Sequence, residues 1–173
     1  FPYTPLFRSF SAVLILGMSV LARADSLKLA YTPDAGGFSY GDGGEFGAYY
    51  VSAGFPYAAP MPAIAKVAGY DFQTFCVQSQ VTFNPGVLYI TAEGLSDSQG
   101  TQLTAGAAFL FDAFWNGTLN NFDGFSYDYT MTNTTPPNAR QQSAGAVQWA
   151  LWHFQGKPAA FAEPAGASDI INY

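Results

Sequence analysis

Ser143-Ala144-Gly145-Ala146-Val147-Gln148-Trp149-Ala150-Leu151-Trp152-His153-Phe154 decides how the rest of the chain is read. It contains no Pro, no β-branched run and a single Gly, so it reads as helix. Its apolar residues cover most of the circumference, and a helix apolar nearly all round is a buried one. Gln148 falls in the middle of the face formed by Ala144, Gly145, Leu151 and Trp152. A buried primary amide must find partners or cost about 1–3 kcal/mol. Working outward, the helix should run from about Ala139 to Gln155, between Pro136-Pro137 and the stop signals Gly156 and Pro158.

Upstream, the period changes twice. Leu103, Ala107, Leu110, Phe111 and Phe114 follow helical spacing and predict a helix ending at Gly117. Before it, Phe72 to Phe83 alternates, with Phe75, Val77, Val81 and Phe83 on one face and Phe72, Thr74, Cys76, Gln78 and Gln80 on the other. The turn Asn84-Pro85-Gly86 and the run Val87 to Ala92 complete an expected hairpin. Asp25 to Tyr31 and Glu45 to Ala53 read as two earlier strands, joined by Gly- and Pro-rich loops. Phe122, Phe125, Tyr127 and Tyr129 are interspersed with Asp123, Ser126 and Asp128 in a segment that reads as loop or short strand, and Ser168-Asp169 as the cap of a last helix.

The composition bounds the function classes. In 173 residues, 49% are hydrophobic, 17% aromatic and only 10% charged, with 18 Gly and 11 Pro. This suits one aromatic-rich, turn-rich domain that is mainly β. The formal charge is −6 and nothing basic is clustered, so nucleic acid is not an expected partner. Residues 1–24 read as an export signal: Arg8 in the n-region, Phe10 to Leu21 as the apolar core, and Ala22-Arg23-Ala24 as the cleavage site. The apolar run is short for a membrane span. The mature module is then 25–173, without a span, and two charges more acidic because Arg8 and Arg23 leave with the signal. Beginning at Phe1 and stopping inside a helical pattern at Tyr173, the sequence reads as a piece of a longer frame, truncated at its C-terminal end.

Export makes the lone cysteine, Cys76, a question. It has no partner for an internal disulfide. It is an inert core residue, a thiol for another chain, or a sulfur committed to other chemistry. His153, the only histidine, could pair with it as a base, but lies about 140° round the helix from Gln148. One Cys, one His and scattered acids predict neither a metal centre nor a cofactor.

Phe75-Cys76-Val77 on a strand, followed by Val147-Gln148-Trp149-Ala150-Leu151-Trp152 on a helix, resembles the thioester domains of bacterial surface adhesins. Those carry an aromatic-Cys-aliphatic strand and a helix reading Thr-Gln-x-Ala-Ile-Trp. Cys76, Gln148, Ala150 and Trp152 match, Leu151 nearly so, and Val147 stands where the family has Thr. The likeness spans about Phe72 to Phe154. The chain is also similar to exported Gram-negative proteins that end in a Pro-Glu-Pro sorting tail, although it carries no such tail.

The resemblance implies an α+β, mainly β fold, an antiparallel sandwich or barrel with an inserted helical subdomain. It also implies an internal thioester between Cys76 and Gln148, opened by the amine of a surface protein or a polysaccharide-associated ligand. The implied protein is a monomeric, non-enzymatic cell-surface or matrix component. The alternative is a non-covalent structural or glycan-binding module with inert Cys76 and Gln148, in which Asp123 and Asp128 sit among sugar-stacking aromatics.

Overall fold

The computed structural model describes residues 26–31, 39–40, 43–51, 70–79, 88–90, 96, 100–122, 124–130, 139–159 and 161–173. The export signal, the Asn84-Pro85-Gly86 turn, Asp123 and the segment at 131–138 lie outside them.

The long helix expected at the centre is there. Helix α2 spans Ala139–Phe154, and ten of its residues are buried, from Arg140 to Trp152. Helix α1 (Ala105–Trp115), helix α3 (Ala167–Ile171) and a two-stranded ribbon, β2 (Ser39–Tyr40) with β3 (Gly43–Gly44), all pack against it. The near-continuous apolar surface of α2 is therefore shared among three sets of neighbours.

Both helix ends follow from local chemistry. Thr104 caps α1, its hydroxyl accepting the Ala107 N–H at 3.2 Å. Gly117 (φ 70°) and Gly156 (φ 64°) then turn the chain left-handed after α1 and α2. Beyond α1, the Gly117 and Thr118 N–H groups reach back to the carbonyls of Phe114 and Ala113. Beyond α2, those of Gly156 and Lys157 reach His153 and Trp152. Each is a Schellman closure, which satisfies carbonyls a helix end would otherwise leave bare.

The remaining strands form one open antiparallel sheet in the order β5-β4-β1-β6. β1 is Ser26–Tyr31, β4 Phe46–Tyr50, β5 Phe72–Thr74 and β6 Leu88–Ile90. In this sheet β5 and β6 are opposite edges, separated by β4 and β1, and residues 80–87, which would pair and turn in the expected hairpin, lie outside the described ones. β5 pairs with β4, Phe46 opposite Thr74 and Ala48 opposite Phe72.

The expectation that fails is the mainly β sandwich or barrel. Among the described residues there is a single open sheet and a short ribbon, with no strand longer than six residues, beside helices of 11, 16 and 5 residues. A sandwich needs a second sheet to face the first. Here the helices pack on one another and on the ribbon, and the described part of the aromatic segment after α1 forms no ladder beyond the Phe122–Phe125 bridge.

That segment is the wall of the core. Phe122, Phe125, Tyr127 and Tyr129 are all buried. Phe114, fully buried on α1, meets Phe75 edge-on at 4.8 Å, Tyr127 at 5.2 Å and Tyr129 at 6.0 Å. Edge and offset contacts of this kind add about 0.5–1.5 kcal/mol each to the area they bury. The four rings are thus spent on packing and offer no platform for a sugar. Asp128 turns its carboxylate onto Thr130, accepting the backbone N–H at 2.8 Å and the hydroxyl at 2.6 Å.

Candidate functional site

Strand β5 stops at Thr74, and the chain bends toward α2 with Phe75 buried against Phe114. Cys76 therefore lies just past the strand rather than on it. Its backbone groups, left without a neighbouring strand, are taken up by a side chain. The Cys76 N–H donates to Gln148 Oε1 at 2.9 Å, and Gln148 Nε2 donates to the Cys76 carbonyl at 2.6 Å. The amide of Gln148 acts as a one-residue strand, bridging positions 72 apart in sequence. Gln148 is fully buried, and these bonds meet the demand that a buried amide makes.

The structure thus brings the two expected residues, Cys76 and Gln148, together. The Cys76 thiol is bent back locally, donating to the Gln78 carbonyl at 2.9 Å. Burial pushes this thiol above its ordinary value, with a smaller opposing effect from the Gln78 backbone. Since the thiolate is the nucleophile, alkylation of unlinked Cys76 should be slow at neutral pH. Its rate should go on climbing at alkaline pH where a model thiol has already levelled off, as iodoacetamide labelling across a pH series would show. Levelling at the same pH as the model thiol would mean that the sulfur is open to water.

His153 is not part of this pair. It is exposed and stacks on Trp149, centroids 5.6 Å apart and planes 13° apart. Among the described residues no three His, Cys, Asp or Glu side chains come together as metal ligands do.

The ribbon closes over Gln148 from the other side. A Cβ on Gly43 would stand 2.6 Å from Gln148 Cγ and 2.8 Å from the Trp152 ring, so only glycine fits there. Trp152, one turn beyond Gln148, is 1% exposed, and its indole N–H has no hydrogen-bond partner among the described residues.

Two residues along from Gly43 lies a group that the sequence did not reveal. Glu45, between β3 and β4, is fully buried and takes both Nε (2.9 Å) and Nη2 (2.7 Å) of Arg140 in a forked ion pair. The Tyr127 hydroxyl donates to the same carboxylate, and Arg140 Nη1 donates to the Tyr129 carbonyl at 2.8 Å. Burial pushes the Glu45 carboxyl up, while Arg140 and Tyr127 pull it back. Burial opposes the charge of Arg140, but the Glu45 carboxylate outweighs it and holds the guanidinium above its usual value. Burial also lifts the Tyr127 hydroxyl well above its ordinary range, with Glu45 adding to the effect, so it remains a donor. The group ties the first turn of α2 to the ribbon–sheet junction and to the aromatic wall.

No described helix is long and apolar enough to cross a membrane. Compared with protein-family models, with curated proteins and with solved structures, the sequence matches none.

Proposed function

We propose that this chain is an exported surface or matrix protein whose Cys76 and Gln148 join in an internal thioester, through which it attaches covalently to amine-bearing ligands. The observation that carries the reading is the double hydrogen bond between the Gln148 amide and the Cys76 backbone. It holds an acyl group, carried on a buried helix, against the residue that bears the nucleophile. The reading rests on this pair and on the motif around it, not on a sandwich fold.

Closure is written as follows. The sulfur of Cys76 attacks the side-chain carbonyl carbon of Gln148. The S–C bond forms, the C–N bond to Nε2 breaks, and the thiol proton leaves with that nitrogen as ammonia. The Cys76 N–H already points at Oε1, where negative charge develops during attack. A donor fixed at such a position is worth about 2.7–4 kcal/mol of barrier in acyl transfer. In the second step a ligand amine attacks the same carbon: the new C–N bond forms, the S–C bond breaks, the ligand stays attached as an amide on the Gln148 side chain, and the proton shed by the amine returns to the Cys76 sulfur as a thiol.

Intact mass tests the reading directly. The purified protein should weigh one ammonia less than its sequence, and methylamine should then add its own full mass while freeing one thiol. A full-mass protein that methylamine leaves unchanged would end the proposal.

A further inference from the structure

The Gln148 side chain is held at Cys76 by its own two hydrogen bonds, but those bonds do not set the height of the side chain above the helix. The ribbon does. Gly43 stands so close that a single added carbon would meet Gln148 Cγ at 2.6 Å and the Trp152 ring at 2.8 Å. Neither neighbour can give way cheaply. Gln148 is fully buried and clamped at its amide, and Trp152 is 1% exposed. The strand that carries Gly43 is itself tied down two residues later, where Glu45 meets Arg140 of the same helix in the forked pair.

We propose that Gly43 is a positioning residue for the acyl transfer: the Glu45–Arg140 pair pins its backbone against the stem of Gln148, fixing the carbonyl carbon at the Cys76 sulfur and excluding water from that side. The proposal rests on the thioester reading of the pair. It explains why a charged pair is buried in an otherwise aromatic core beside a helix that carries the acyl donor. It also places the ligand amine's approach on a side other than the ribbon.

Gly43→Ala isolates the effect, because Gly43 does not have a left-handed backbone, unlike Gly44 (φ 106°), so alanine there changes space and not conformation. Gly47→Ala is the matched control. Its Cβ would strike the Tyr70 ring at 2.3 Å, an equal insult placed in the sheet between β4 and the chain entering β5. Wild type, both variants and Arg140→Lys are made by cell-free synthesis, and ammonia loss is followed by intact mass alongside the melting temperature.

The wild type should lose ammonia. Gly43→Ala should do so about a hundredfold more slowly, the usual cost of a reacting atom misplaced by about 1 Å. Gly47→Ala should melt lower yet close at the wild-type rate. Arg140→Lys keeps the charge but loses the fork, so it should slow closure in the same direction, and it carries the test if Gly43→Ala does not fold. Normal closure in Gly43→Ala, or in Arg140→Lys, overturns the positioning role and leaves the thioester standing. Equal slowing in Gly47→Ala overturns it too, since closure would then follow stability alone. A wild type that keeps its full mass overturns both.

Discussion

Arg140→Met should lower the unfolding free energy by about 3–5 kcal/mol, the cost of stripping one partner from a buried ion pair. Arg140 and Glu45 are 1% and 0% exposed, so neither charge has water to fall back on. Without the guanidinium, the buried Glu45 carboxylate loses both forked hydrogen bonds and the charge that balances it, which favours uptake of a proton or of water into the core. The Tyr129 carbonyl loses its donor as well. Glu45→Gln should cost a comparable amount from the other side. It keeps the shape of the carboxylate but removes the charge that faces the guanidinium. The double variant Glu45→Gln/Arg140→Met should cost clearly less than the sum of the two, because the second change removes the stranded partner of the first. Urea unfolding of the four proteins measures this. Single losses under about 1 kcal/mol, adding in the double, would describe a solvated surface pair instead.

The ion pair also shows what a single sequence hides. Glu45 and Arg140 are 95 positions apart, and each sits in a locally unremarkable place: an acid ahead of a strand and a base in the first turn of a helix. The one signal is that Arg140 heads a helix apolar almost all round, where a charge has to find a partner. What is local was legible. The glycines after both long helices are there because a left-handed residue is needed after the last turn, and Gly117 and Gly156 take that role. That Gln148 is a buried amide in need of partners was legible too; that it finds them in the backbone N–H and carbonyl of Cys76 was not, because no side-chain pattern records a backbone partner.

Strand order was not legible. β5 pairs with β4, whose Gly47 lies opposite Gln73 and leaves room for the Tyr70 ring against the backbone. Nothing in the period of either strand records that choice, since alternation specifies faces and not neighbours. The aromatic stretch from Phe122 to Tyr129 misled in a similar way. Its intervening Asp and Ser residues suggest a solvated loop, whereas Phe122, Phe125, Tyr127 and Tyr129 are all buried, Tyr127 and Tyr129 against Phe114, while Ser126 stays exposed.

Cys76→Ala should cost about 4 kcal/mol, for a reason the hydrogen bonds make separable. A covalent link between Cys76 and Gln148 joins positions 72 apart, and closing a loop of that size in the unfolded chain is worth about 4 kcal/mol in the chain-entropy model. Alanine removes the link but leaves the Cys76 N–H and carbonyl able to bond the Gln148 amide. Gln148→Ala removes the link and that amide together, stranding two half-buried backbone groups at about 1–3 kcal/mol each. It should therefore be the worse of the two. The double variant should be no worse than Gln148→Ala alone, because both changes break one bond. Methylamine supplies the internal control: wild-type protein opened by the amine keeps both side chains but loses the link, and its stability should fall to near that of Cys76→Ala. Urea midpoints at a fixed slope would show this. Suppose instead that Cys76→Ala costs only about 1 kcal/mol, as a small cavity at a half-buried thiol does, and that methylamine leaves the wild-type midpoint unmoved. Then no covalent bond spans the pair, and the Gln148 amide serves as a structural bridge alone.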